Sequence, residues 1–347
     1  MPGFNTMLKF FIKALAFLIG TSLIFNALGS LADHVAPLEN WRVEYQQRVE
    51  KLEARRDQIE AITLGNSHAD SIDYSVLGLE GQSLALAAAD LFEIEKTVLS
   101  MDDELPKLKT AFITLSYYSF SRDNAKFESL RSRRVGFYSL ILVWSPIRGD
   151  LSNFLMGKLD AYTHIMSVVR SDGWKGVWLG LLPSASPINP FPYDGVHTTS
   201  VWGDCFHYTA EQLESHAREI AGRNVSSSMQ MAAIHPGLEQ DAFDALARTI
   251  ERLQSRGIRI VLFTPTYYEK YNEYFMEQGS YMIDDMKQLT DKLQQTYQVE
   301  YYNFSDDPEI TTQPELFYNS DHLSECGHRV FSAKLLEAME SGSIIGK

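Results

Sequence analysis

Two short stretches carry residue types suited to nucleophilic chemistry. One is Leu64-Gly65-Asn66-Ser67-His68, which closes an apolar run beginning at Ile59. The other is Asn319-Ser320-Asp321-His322-Leu323, which leads into a helix-like run from Ser324. A serine hydroxyl attacks poorly until a base takes its proton, and histidine is the usual base. A strand that stops at a glycine and hands a serine to the next turn holds that hydroxyl at the carboxyl edge of a sheet, where open α/β folds bind ligands. Ser67 and His322 are thus the candidate nucleophile and base. Asp321 and Asn319 are candidates for orienting the imidazole. The backbone N–H of Ser67 or His68 is a candidate oxyanion donor. Asn66 either assists there or shapes the turn, and His68 lines the pocket or orients substrate. Plainer roles compete: Ser67 as a helix cap, Asp321 as a charge that complements a helix N-terminus. His328 follows His322 by six residues, which is not a helical ligand spacing. His164, His197, His207 and His235 are scattered, so neither a metal nor a cofactor is expected.

The elements that must position these groups alternate. Strands are expected over 59–64, 82–87, 110–116, 258–264 and 299–304. Helices are expected over 90–101, 238–256, 281–297 and 324–339. Gly257 stops one helix and Pro265 one strand. This rhythm predicts α/β architecture, a parallel sheet of about five strands between helices. Residues from about 120 to 237 break it and read as an insertion over the active edge. It holds Arg131, Arg133 and Arg134, helices over 151–170 and 208–222, and a loop over 174–193 rich in Pro, Trp and Gly. The domain therefore runs over 59–347, preceded by a charged amphipathic stalk helix within 33–58.

The first 32 residues read as a membrane anchor. Lys9 and Lys13 precede an uncharged stretch from Ala14 to Ala32, close to the about 20 residues that span a bilayer. Positive charge before it and Asp33 and Glu39 after it place the amino end inside and the main domain outside. A cleavable signal peptide ending at Ser30-Leu31-Ala32 is the competing reading, and its apolar core would ordinarily be shorter. Either way the domain is exported. The net charge of −14 argues against a nucleic-acid partner. Cys205 and Cys326 make no disulfide framework, although one bridge is open to them in an oxidising compartment. Cys326 otherwise reads as a small packing residue.

Strand-Gly-x-Ser near the start and a histidine before the last helix resemble the SGNH (GDSL-like) hydrolase superfamily. Gly65-Asn66-Ser67-His68 stands in place of its first block, and Asn319-Ser320-Asp321-His322 in place of its last, Asp-x-x-His. Within the superfamily the chain is most similar to membrane-anchored DltD-like proteins. The likeness includes Leu115-Ser116-Tyr117-Tyr118-Ser119-Phe120, Thr264-Pro265, and Asp321-His322-Leu323 followed by Gly327. It implies a flavodoxin-like three-layer sandwich, Ser67 as nucleophile and His322 as base. It also implies a membrane-tethered esterase or acyltransferase acting on O-acyl groups of a surface glycan or teichoic-acid-like polymer. The family acid three residues before the histidine is Asn319 here. An Asp-to-Asn exchange behind the histidine of a serine protease costs about 10⁴ in turnover. For the two middle blocks that complete the oxyanion hole, Gly81 and Ser116 are the stand-ins. These departures keep a second reading open, a non-catalytic assembly factor beside a membrane-bound acyltransferase or polysaccharide-export machine. A nucleotide-binding domain fits least, since no Gly-rich phosphate loop follows any strand.

Overall fold

The structure, a computed structural model, describes residues 41–101, 105–124, 196–200 and 203–341, with single helical positions at 13, 17 and 20. The expected anchor, the arginine cluster at 131–134, the helix over 151–170 and the loop over 174–193 lie outside the described residues. Among the described residues no helix is long and apolar enough to cross a membrane.

The centre is a sheet of five parallel strands: β1 (Ala61–Leu64), β2 (Gly81–Ser83), β3 (Thr110–Thr114), β6 (Arg259–Thr264) and β7 (Glu300–Asn303), in the order β2-β1-β3-β6-β7. This is the doubly wound order in which ligands sit at the carboxyl ends of the strands. The central strands read as almost unbroken apolar runs because both faces are covered. Ile62, Leu64, Ala111, Ile113, Ile260 and Leu262 belong to the core under α3 (Leu91–Ser100), α5 (Leu238–Ser255) and α6 (Glu269–Tyr297). Their alternates Ala61, Phe112, Val261 and Phe263 belong to the core under α8 (Glu325–Ser341). Side chains of a strand point to opposite faces in turn, so one run serves two cores. The sheet expected from sequence is present, with most strand and helix ends within two residues of their expected places; α6 begins twelve residues earlier, at Glu269, and contains a break at Gly279.

Two expectations need correction in detail. The insertion returns to the domain through an antiparallel hairpin, β4 (Val196–Ser200) with β5 (Gly203–His207). The following helix α4 (Ala210–Ile234) is no outlying lid: Ala217, Ile220, Ala221 and Val225 join the main core, packed against α6. The charged helix α1 (Trp41–Arg55) is more than a solvated spacer. Leu52 is buried, Arg55 pairs with Glu80, and Arg48 makes a two-pronged pair with Asp70 at 2.6 and 2.8 Å. A disulfide joins Cys205 of β5 to Cys326 in the first turn of α8, with Cα atoms 5.9 Å apart. It ties the insertion's hairpin to the segment that carries His322.

Candidate active site

Ser67 starts a 3-10 turn, Ser67–Ser71, three residues beyond the end of β1. Gly65 makes the exit turn, with φ +144°, and a Cβ there would lie 2.2 Å from Thr114 Cγ2 of β3. Only glycine combines that backbone with that approach. At the other end of the chain a small hairpin forms between β8 (Phe317–Asn319) and β9 (His322–Leu323), immediately before α8. Gly327 lets α8 close on this hairpin, since a Cβ there would sit 2.0 Å from the Leu316 carbonyl.

The two ends meet at the carboxyl edge of the sheet. Ser67 Oγ is 2.7 Å from His322 Nε2. Behind the ring, Nδ1 faces Asn319 Oδ1 at 3.0 Å and Asp321 Oδ1 at 3.2 Å. Asn319 Oδ1 also accepts the backbone N–H of His322 at 2.9 Å and of Asp321 at 3.2 Å. Those two donors fix the oxygen of the amide, not its NH₂, toward the ring. Nδ1 must then carry the proton, which leaves the Nε2 lone pair for the Ser67 hydroxyl. So this asparagine enforces the tautomer a base needs, and the carboxylate comes from Asp321. Burial alone would push His322 down, but the Asp321 charge more than offsets it, and the ring titrates above its ordinary value. Burial pushes Asp321 up, yet His322 and His68 together hold it well below the usual carboxylate range. The His322 side chain keeps 30% of its surface open, so the site is reachable.

A second layer holds Ser67 and Asp321. Ser116, fully buried beyond β3, accepts Asn66 Nδ2 at 2.8 Å and faces His68 Nδ1 at 2.8 Å. With Asn66 donating to it, the Ser116 hydroxyl gives its own proton to His68 Nδ1. The His68 proton then lies on Nε2, which faces Asp321 Oδ2 at 3.5 Å. Burial pushes the His68 titration down, so the ring is neutral. It rests edge-on against Tyr267, which stacks with Tyr271 and contacts Tyr117. His216 of α4 also borders Asp321, with Nδ1 2.8 Å from Ser320 Oγ and 4.0 Å from Asp321 Oδ1.

The structure thus brings together Ser67, His322, Asp321, Asn319, Asn66, His68 and Ser116. Gly81 is not among them. It pairs with Ala61 at the amino end of β1 and packs under the Tyr74 ring. Ser116 acts as a buried hub and not as an oxyanion donor. The His68 N–H is spent on Asn66 Oδ1 at 3.1 Å, which leaves the Ser67 N–H as the donor without a partner among the described residues. Sequence reasoning missed His216, Arg48 and Asp70. His216 lies within the long helix α4, and no local motif marks it. Asp70 is three residues from Ser67, within one turn, which was a usable signal. His68, Asp321 and His322 present ligand-type atoms within 4.8 Å of one another. No family model matches the chain, and a search of curated proteins gives no match either.

Proposed function

We propose that this chain is an exported serine-dependent esterase or acyltransferase of the SGNH type. The observation that carries the reading is the relay Ser67–His322 with Asp321 and Asn319 behind it. Ser67 Oγ bonds to the acyl carbonyl carbon while His322 Nε2 takes its proton. The imidazolium formed is stabilised by Asp321 and then protonates the leaving alkoxide. Water or a sugar hydroxyl next gives its proton to Nε2 and attacks the acyl-enzyme, and the imidazolium returns that proton to Ser67 Oγ as the acyl–serine bond breaks. The Ser67 N–H supports the oxyanion. The strand order supports the family likeness. The Cys205–Cys326 disulfide supports export, because such bonds persist in oxidising compartments. A single-pass anchor within residues 1–32, amino end inside, belongs to the same reading. The substrate class, O-acyl groups on a surface polysaccharide or teichoic-acid-like polymer, rests on the likeness to DltD-like proteins.

One observation favours the second reading, an assembly factor beside a membrane-bound acyltransferase. The His68 N–H in the nucleophile's turn is committed to Asn66 Oδ1, and Gly81 lies at the other end of the strand, while acyl transfer ordinarily uses more than one oxyanion donor. The test is a fluorophosphonate probe on the full chain in detergent, read by intact mass. One adduct on wild type, absent in Ser67→Ala and His322→Ala, is the expected result. No adduct on folded wild-type protein overturns the catalytic reading in favour of the assembly factor.

A further inference from the structure

We propose that His68, Asp321 and His322 form a zinc site, and that zinc bound there switches Ser67 off. The inhibition rests on the serine reading above; the metal site does not. The starting observation is His68 Nε2. The ring is 2% exposed, and this nitrogen has no hydrogen-bond partner among the described residues. It points at Asp321 Oδ2 from 3.5 Å, too long for a good N–H···O bond. Ligand atoms on a tetrahedral zinc, at about 2.0–2.1 Å from the ion, lie about 3.4 Å from one another. The gap that fails as a hydrogen bond therefore fits as an edge of a zinc tetrahedron. His322 supplies the third ligand from its Nδ1, the nitrogen that already faces Asp321. The ligand atoms of all three residues lie within 4.8 Å of one another, so small ring rotations close the site. Two imidazoles and one carboxylate suit zinc better than magnesium or calcium, which prefer oxygen.

The outer shell is already built. A metal-bound histidine gives its other N–H to a fixed acceptor. For His68, zinc on the Nε2 lone pair moves the ring proton to Nδ1, and Ser116 Oγ, 2.8 Å away, turns from donor to acceptor; for His322 the acceptor is Ser67 Oγ, 2.7 Å from Nε2. The second contact is the switch. Zinc takes the Nδ1 lone pair of His322, so the ring proton moves to Nε2. Nε2 then donates to Ser67 and has no lone pair to accept its proton. The nucleophile loses its base without itself moving.

The test uses the full chain in detergent, stripped with EDTA and titrated with zinc chloride against a chromophoric chelator. One zinc per chain is expected, with affinity falling more than about 100-fold in His68→Gln, beyond the range for losing an outer-shell partner. Fluorophosphonate labelling of wild type should slow in step with occupancy and recover with EDTA. Cobalt on the wild-type chain should give the visible bands of a four-coordinate site, a readout independent of any variant's folding. Absence of stoichiometric zinc, a six-coordinate cobalt spectrum, or unchanged affinity in a folded His68→Gln overturns the site. Full labelling at full zinc occupancy overturns the switch alone. Stoichiometric zinc on a chain that never labels upholds the metal site and counts against the serine reading.

Discussion

Asp321→Asn isolates the charge behind the candidate base, because it keeps the side chain's shape. The reactive form of the site has His322 neutral, so the attraction between imidazolium and Asp321 develops only as Ser67 gives up its proton. Such an interaction lowers the barrier and not the ground state. At 3.2 Å, with an effective dielectric of about 20, two unit charges attract by about 5 kcal/mol. That is nearly four decades in rate at about 1.36 kcal/mol per decade. Solvent reaches the 30% of the His322 side chain that is open, so about three decades is the expected loss. The assay is the second-order rate of fluorophosphonate labelling across pH. Wild-type labelling needs neutral His322 and so rises with pH through a midpoint above the ordinary imidazole value of about 6.5. In Asp321→Asn burial is left largely unopposed, and the midpoint should move to lower pH as the plateau falls. A plateau within tenfold of wild type, with the midpoint unmoved, would refute the assignment of the charge to Asp321. Asn319→Ala is the companion: it removes the acceptor that fixes the tautomer and should cost less than Asp321→Asn, with little movement of the midpoint.

Four further outcomes are expected. Arg48→Ala should slow labelling of Ser67 and destabilise the fold by about 1.5–3 kcal/mol, since it strands Asp70 in the nucleophile's own turn; Arg48→Lys should restore little, because an ammonium cannot reproduce the two-pronged pair. Gly65→Ala should cost at least about 2 kcal/mol in denaturant unfolding, from a strained φ and the clash with Thr114; a loss within about 0.5 kcal/mol would contradict the close approach. Reducing or replacing the Cys205–Cys326 bridge, which closes a separation of 121 residues, should cost about 2–5 kcal/mol, measured as a drop in Tm. Acid unfolding should reflect Asp321 and Asp70, both held below the usual range: burial pushes each up, and the partners of each, His322 and His68 or Arg48, more than offset it. Their stabilisation is present above the unfolded carboxylate value of about 3.9 and is lost as pH falls through the folded values, so Asp321→Asn should flatten the acid limb of the stability profile.

The sheet was legible because its signal is local. β3 and β6 each carry an unbroken apolar centre, Ala111–Ile113 and Ile260–Phe263, and a short run of that kind is a strand covered on both faces. Ser67 and His322 were legible for a related reason: Ser67 follows the end of a strand, and His322 leads into a helix. What supports them was hidden. The pairing of Arg48 with Asp70, of His68 with Asp321 and of Cys205 with Cys326 depends on tertiary contact that no periodicity encodes. Gly81 shows the opposite error. A glycine beside the second strand matched the expected block by type, but its lack of a side chain serves packing under Tyr74. At the carboxyl side of that strand the residue with left-handed backbone is Ala88, φ +55°, which offers no compositional cue. Asn319 stands where the family has an acid, which leaves it able to hold the imidazole but not to supply charge. Its oxygen, held by two backbone donors, supplies orientation while the neighbouring residue supplies charge.

The nucleophile and the base are 255 residues apart. A chain is made from its amino end, and contacts of such separation form late. Ser67 therefore exists for most of biosynthesis as an ordinary alcohol, with nothing nearby to ionise it. Reactivity arrives only when the segment carrying His322 docks, and that segment is made after every strand of the sheet and the hairpin at 196–207. Any product that ends before His322 carries a nucleophile that cannot fire. Covalent labelling of Ser67 is thus also a gauge of complete maturation, readable on nascent or mutant chains where spectroscopy sees only bulk structure.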